Sequence, residues 1–344
     1  MGPSEPPRPR PDDAGPVPLV AVAGTAYECG AQYGRIVLKD HPGYRTYVDM
    51  ALEWKALPAG VRRLVERRAP YLIDVYRGLI DAAGPGRGRP EDGAGCTSFG
   101  VSGAITADGQ PLSGQNKDTP VQNMRRYIVL RMRIREGPTI LVLAYPGEVL
   151  GYGLWSTGMS LFRNDLRSSA GSAAGLSVVQ WGLLALAGRS VKGAVELARE
   201  HRIAGIGNCL ISDADGESLS VEFNAGGVSI VPASDGIATH ANHPEGRQTG
   251  PFEHYPDAME RELSRHRVDR LRELLGAQRG RLTVGGAFAA MSDHERHPRG
   301  ICRHEVGDMP NGATTAAVVA EPARGRLHVV RGQPCCNTPV THTI

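Results

Sequence analysis

The chain has 344 residues, among them 44 glycines and 25 prolines, with 41% hydrophobic and 22% charged residues and a formal net charge of +3. These are globular proportions, which exclude a collagen-like chain or a coiled coil, and the length predicts either two domains or one large strand-rich domain. No apolar run approaches the ~18–20 residues that span a bilayer, and no basic run interleaved with aromatics gives a nucleic-acid footprint, so neither membrane nor nucleic acid is an expected partner.

Residues 1 to about 17 are proline-rich and polar and read as a disordered tail. They lack the apolar core of a signal peptide, and six cysteines are too few for a disulfide scaffold. The expectation is a cytoplasmic protein with reduced thiols. Residues 24–34 open a helix that runs to about Asp40, with Thr25 as its N-cap. Further helices are predicted near 44–56 and 60–83, the second from Val61, Leu64, Val65, Leu72, Val75 and Leu79 at helical spacing. Residues 84–95 then have loop composition and end against Cys96.

After Cys96 the pattern changes to strands. Segments 96–102 and 111–116 flank a turn at Asp108-Gly109, and Ile128, Leu130, Met132 and Ile134 alternate as a half-buried strand. Hairpins follow around 136–138, 156–158, 213–216 and 322–325, and helical pairs interrupt them at about 176–201 and 258–291. Hairpins between helix pairs predict two antiparallel sheets packed face to face and covered by helices, a four-layer αββα arrangement.

The chemistry centres on Gly95-Cys96-Thr97-Ser98. A cut between Gly95 and Cys96 makes Cys96 a chain terminus that carries its own base, because an α-amine has a reference pKa near ~7.7–8.0. Glycine before the cut leaves the carbonyl unshielded. The competing reading is a buried structural cysteine at a strand start. Its surroundings favour the nucleophile. Asp118 closes the hairpin that Cys96 begins, Asn242 ends a later strand and offers an amide to an oxyanion, and Arg303 offers a guanidinium. No serine-hydrolase elbow, phosphate-binding loop or dinucleotide fingerprint is present.

Two rivals remain. His294, His297, Cys302, His304, Cys335 and Cys336 gather late in the chain, but their spacing does not match the paired short-range ligands of common zinc motifs, so no metal is expected. The basic segment 261–272, with Arg261, Arg265, Arg267, Arg270 and Arg272, is read as a solvated face over Val268, Leu271 and Leu275 in preference to an anion site.

Together these motifs carry a resemblance. Segments 24–34, 95–98 and 114–118, Asn208 with 207–216, Glu222 with its neighbours, 240–243 and 301–303 resemble, in the same order, the acyl-coenzyme A:6-aminopenicillanic acid acyltransferase family of autoproteolytic N-terminal nucleophile enzymes. The resemblance spans roughly 20–335. It implies a four-layer αββα fold, self-cleavage between Gly95 and Cys96, Cys96 as nucleophile and Asn242 as oxyanion donor. Asp118 and Arg303 are implied to organise the amine, the thiol and the cleavage geometry. Two departures stand out: segment 84–95 is short, and Leu154-Trp155 stands where the family tends to place an asparagine.

The expected protein is a single domain over 18–344 behind the tail, cut into 18–95 and 96–344, which stay associated. It forms an acyl-Cys96 intermediate and passes the acyl group to an amine or to water, in a secondary-metabolic setting by resemblance. No cofactor is expected, acyl-coenzyme A or another thioester being a candidate substrate. The partners are a small acyl donor, an amine acceptor and the two cut chains for each other. The alternatives are a non-catalytic scaffold on the same fold or a zinc protein using the late His/Cys residues.

Overall fold

The computed structural model describes residues 15–41, 48–86, 95–305 and 312–344. Most of the expected tail and most of the 84–95 loop lie outside them. The chain begins with β1 (Leu19–Gly24), α1 (Ala26–Asp40), α2 (Ala59–Arg68), α3 (Tyr71–Ala83), β2 (Gly95–Val101) and β3 (Leu112–Thr119). It continues with β4 (Ile128–Ile134), β5 (Thr139–Ala144), β6 (Tyr152–Trp155), β7 (Ser160–Asn164), β8 (Leu176–Ser177), α4 (Val178–Ala187) and α5 (Val191–His201). Next come β9 (Ile203–Ala204), β10 (Gly207–Ser212), β11 (Ser218–Asn224), β12 (Gly227–Pro232) and β13 (Ile237–His240). It ends with α6 (Ala258–Gly276), α7 (Val284–Met291), β14 (Ala313–Glu321), β15 (Arg326–Arg331) and β16 (Val340–Thr343).

Two large sheets result. One runs β1-β4-β5-β6-β7-β10-β11-β12 and the other β13-β2-β3-β14-β15-β16. Three apolar cores separate four layers. Tyr33, Val75, Leu130 and Trp181 belong to the core between α1–α5 and the larger sheet. Val129, Leu143, Phe162, Val318 and Val329 fill the space between the sheets. Phe99, Leu271, Phe288 and Val319 lie between the smaller sheet and α6–α7. Alternation along each strand sends successive residues to opposite faces, so Val129 meets the other sheet while Leu130 meets the helices. The αββα architecture is therefore present, and within the two large sheets one pairing departs from antiparallel: β1 lies parallel to β4.

Local chemistry explains the boundaries. Thr25 caps α1 in a reciprocal box with Glu28, as its position predicts. Gly30 and Gly78 let α1 and α3 approach closely, since a Cβ on either would lie 2.0 Å from Val75 O or 2.1 Å from Tyr27 O. The helix expected over 60–83 is two helices, because Pro70 lacks an N–H and its ring would clash with the preceding turn. The helix expected near 44–56 does not form over its described part, 48–56. There the Asp49 carboxylate accepts the N–H of Ala51 and the hydroxyl of Tyr76, which turns the chain instead.

Candidate active site

The strand pair β2–β3 sets the site. Gly95 lies opposite Asp118 and Cys96 opposite Lys117, so the aspartate expected beside the cysteine faces the residue before it. β13 pairs with the other edge of β2 and ends at His240, which delivers Asn242 just beyond it. Arg303 comes from the segment between α7 and β14, and its N–H donates to Thr314 Oγ1. Cys96, Asp118, Asn242 and Arg303 are all buried and share one neighbourhood.

Their contacts are specific. Cys96 N–H donates to Asn242 Oδ1 at 3.2 Å, and Asn242 Nδ2 donates to the carbonyl of Asp165 at 2.9 Å. The two partner sets fix which end of the amide is which. Asn242 thus faces Cys96 with its oxygen, and Asp165 takes one of its two amide N–H groups. Asp118 Oδ1 accepts from Thr314 Oγ1 at 2.8 Å, while Oδ2 stands 3.7 Å from both Arg267 Nη1 and Arg303 Nε. Oδ2 has no hydrogen-bond partner among the described residues. Arg303 also pairs with Glu260 at 3.1 Å. A Cβ built on Gly95 would sit 3.1 Å from Asn242 Oδ1, 3.4 Å from Arg267 Nη2 and 3.5 Å from Arg303 Nη1. Gly95 is therefore enclosed by one amide and two guanidinium groups.

Arg267 is the residue missed by sequence reasoning. It does not belong to a solvated face: it is buried on α6 and its Nη1 donates to Cys96 O at 3.0 Å and to Thr97 Oγ1 at 2.8 Å. Its Nη2 donates to Asn242 Oδ1 at 2.7 Å. The signal was its phase, four residues after Leu263 and four before Leu271 on the buried stripe of α6. The other four arginines of that segment sit in carboxylate pairs, Arg261 and Arg265 with Glu253, Arg270 with Asp293, and Arg272 with Asp269.

Burial dominates the electrostatics. It pushes the Asp118 carboxyl up to about 6, against the pull of Arg303, Arg267, the Thr314 hydrogen bond and Lys117. Burial, with the neighbouring Arg303 charge, brings Arg267 down to about 10. Behind Asn242, the buried Glu222 accepts from His240, from the N–H groups of Glu245 and Gly246, and from Thr249 Oγ1 in a very short contact. That single carboxylate fastens the loop that follows Asn242.

A pocket of about 130 Å³ opens beside Cys96. Val178, Ile206 and Phe223 give it apolar surface, and Lys117, Asp118 and Asn208 are polar lining. Lys117 Nζ donates to Tyr152 Oη at 2.7 Å and lies 4.2 Å from the centre of its ring. Asn164 Nδ2 donates to Ser98 Oγ at 2.8 Å, and it reaches Asn208 Oδ1 at 3.4 Å. Asn208 Nδ2 is buried with no hydrogen-bond partner among the described residues. In the sequence Asn208 stands out only as part of a hairpin motif. Leu154 and Trp155, at the position of the expected departure, are buried in the cores on either side of the larger sheet.

Of the late His and Cys residues, His294, Cys302, His304 and Cys335 converge, while His297 and Cys336 stand outside that group. Among the described residues no helix is long and apolar enough to cross a membrane.

Comparison with known proteins places this chain in a family. Among solved structures, two variants of conjugated bile acid hydrolase from Clostridium perfringens are similar, each with a TM-score of 0.47 and covering 72% of this chain and 97% of theirs, at 13% and 12% identity. Penicillin V acylase from Agrobacterium tumefaciens has a TM-score of 0.43 at 16% identity, covering 72% of this chain and 84% of its own. No curated protein sequence matches. A family model for acyl-coenzyme A:6-aminopenicillanic acid acyl-transferase matches residues 105–335, a span that includes Asp118, Asn242, Arg267 and Arg303 and begins just after Cys96. With more than half of its length matched, the chain belongs to the acyl-coenzyme A:6-aminopenicillanic acid acyl-transferase family.

Proposed function

We propose that the protein is a self-cleaving N-terminal-cysteine enzyme that moves an acyl group from an amide or thioester to an amine or to water. Family membership supports acyl transfer or amide hydrolysis as the reaction class. The observation that carries the mechanism is the setting of the Gly95–Cys96 bond: at the head of β2, with Cys96 N–H on Asn242 Oδ1 and Gly95 caged by Asn242, Arg267 and Arg303.

In the first reaction Cys96 Sγ attacks the Gly95 carbonyl carbon and the Gly95–Cys96 C–N bond breaks, giving a thioester and an amine on Cys96. Water then hydrolyses the thioester, leaving a carboxylate on Gly95 and a thiol on Cys96. The new α-amine stays near Asn242 Oδ1, which already accepts from that nitrogen. In turnover the amine takes the thiol proton as Sγ attacks an acyl donor and returns it to the leaving group. An amine or water then receives the acyl group from Cys96.

Asn242 holds the amine in this scheme. Asn208 Nδ2, unpartnered in the pocket wall, supplies an N–H to the developing oxyanion. Asp118, between two guanidinium groups, orients the amine through Oδ2, which has no hydrogen-bond partner among the described residues. The apolar side of the pocket, Val178, Ile206 and Phe223, takes the acyl chain. Acyl-coenzyme A and other small thioesters are candidate donors, with no cofactor required by the scheme.

Intact-mass analysis tests the proposal. Two chains, the second beginning at Cys96, and one uncut chain for Cys96→Ala are the expected masses. An uncut wild-type chain that still turns over a thioester would show that Cys96 works with another base, and the α-amine scheme would be wrong.

A further inference from the structure

His294, Cys302, His304 and Cys335 come from three parts of the chain: the end of α7, the approach to β14, and the segment after β15. One ligand atom from each lies within 4.8 Å of all the others. His304 Nε2 is 3.0 Å from His294 Nε2, 3.6 Å from Cys302 Sγ and 3.5 Å from Cys335 Sγ, and the two sulfurs are 3.7 Å apart.

Hydrogen bonding does not account for this arrangement. A ring nitrogen has one in-plane direction, holding either one proton or one lone pair, yet three partners crowd His304 Nε2. A disulfide does not account for it either, because Cys302 and Cys335 are unoxidised at that separation. A cation at the common centre serves all four atoms at once. With Zn–S of about 2.3 Å and Zn–N of about 2.0 Å, a regular tetrahedron has edges of about 3.8 Å between sulfurs, about 3.6 Å between sulfur and nitrogen and about 3.3 Å between nitrogens. The four edges among His304, the two sulfurs and the His294–His304 pair follow the same order and nearly the same lengths, and a small shift of His294 within the 4.8 Å bound completes the set.

We propose that His294, Cys302, His304 and Cys335 form a Cys₂His₂ zinc site. Two thiolates neutralise a divalent ion, so a largely buried site carries no net charge. Four protein ligands close the coordination sphere, which marks the site as structural. Cys302 and His304 flank Arg303, and Cys335 ties the C-terminal segment to the same point. The ion therefore fixes the backbone that aims Arg303 at Asp118. The lack of two short-range ligand pairs, which argues against zinc in the sequence, does not apply to this set, because Cys335 joins the 294–304 segment only through the fold.

The test uses the full chain without a histidine tag, purified without chelator. Elemental analysis is expected to give one zinc per chain, and X-ray absorption to give two sulfur and two nitrogen neighbours at about 2.3 and about 2.0 Å. Cys302→Ser and Cys335→Ser should each lose the metal, while His297→Gln and Cys336→Ser, outside the ligand set, should keep it. If the ligand variants fail to fold, the absorption spectrum of the wild-type protein decides alone. Folded protein that holds no metal and shows no tetrahedral thiolate spectrum on adding cobalt(II) would overturn the site. So would a Cys302–Cys335 disulfide in the native mass, or zinc retained in the double cysteine variant.

Discussion

Arg267 reaches from the buried stripe of α6 to the carbonyl oxygen of Cys96, 3.0 Å away, and binds Asn242 Oδ1 with its other terminal nitrogen. One guanidinium thus ties the residue after the proposed cut to the amide that receives its N–H. Arg267→Met leaves the Cys96 carbonyl without this donor and Asp118 with one fewer cation. The expected loss is about 3–5 kcal/mol of stability, the usual result of removing one partner from a buried ionic cluster. Arg267→Lys should recover part of the stability but not the rate, because an ammonium cannot span both acceptors as a planar fork does. Denaturant midpoints and kcat for the two variants check this.

Asp118 predicts an acid limb. Its carboxyl is held up at about 6, so the ionised form required beside the amine is lost as pH falls through that value. Activity should drop on the acid side in two steps, the upper as the Cys96 α-amine protonates and the lower as Asp118 does near 6, and Asp118→Asn should remove the lower step along with most of the rate. For stability the sign is opposite. An unfolded aspartate titrates near ~3.9, so between that value and the folded one the native state holds more protons. Stability from this group therefore falls as pH rises from about 4 to about 6. Thermal melts across that window read the effect.

Asn208 and Asn242 should separate kinetically. Removing an oxyanion donor typically costs ~10²–10³ in kcat, so Asn208→Ala is expected to lose that much while still cutting itself between Gly95 and Cys96. Asn242→Ala should instead block or slow the cut, since its oxygen holds the Cys96 nitrogen. Mass analysis and steady-state rates of both variants distinguish the roles. Equal self-cleavage with a larger kcat loss in Asn242→Ala would return the oxyanion role to Asn242.

Glu222 is expected to matter far from any reacting atom. Its buried carboxylate collects His240, two backbone N–H groups and Thr249. His240 holds it below the usual carboxylate range against the cost of burial. Glu222→Ala should cost about 3–5 kcal/mol, as for other buried ionic partners. Chemical denaturation gives the loss, and a lower yield of cut chain would show that the loop carrying Asn242 has come loose.

Most of the architecture was legible in alternation and turn chemistry. The turns at Asp108-Gly109, 156–158 and 322–325 all join neighbouring strands, and both later helix pairs form. What failed was local: Pro70 divides a stretch whose apolar spacing runs straight through it, and Asp49 diverts a segment of helical composition. In the site, Cys96, Asp118, Asn242 and Arg303 were found as loop-end and strand-end residues with chemistry. Arg267 was hidden because a charged residue in an arginine-rich helix is expected outside, and only its phase with Leu263 and Leu271 reveals burial. Asn208 was hidden for a different reason. Its proposed role rests on a missing hydrogen bond, which no sequence pattern displays.

β2 begins at Gly95, so hydrolysis of the Gly95–Cys96 bond would remove a single rung from the end of one ladder and leave every other strand whole. In the proposed cut form, β1, α1, α2 and α3 would remain as a small subunit docked through the parallel β1–β4 pairing and the core against the larger sheet. Folding would then cease to be a first-order property of one chain. The unfolding midpoint of the cut protein should rise with its concentration, as for any heterodimer without a stable lone partner, whereas an uncut Cys96→Ala chain should melt at the same temperature at every dilution.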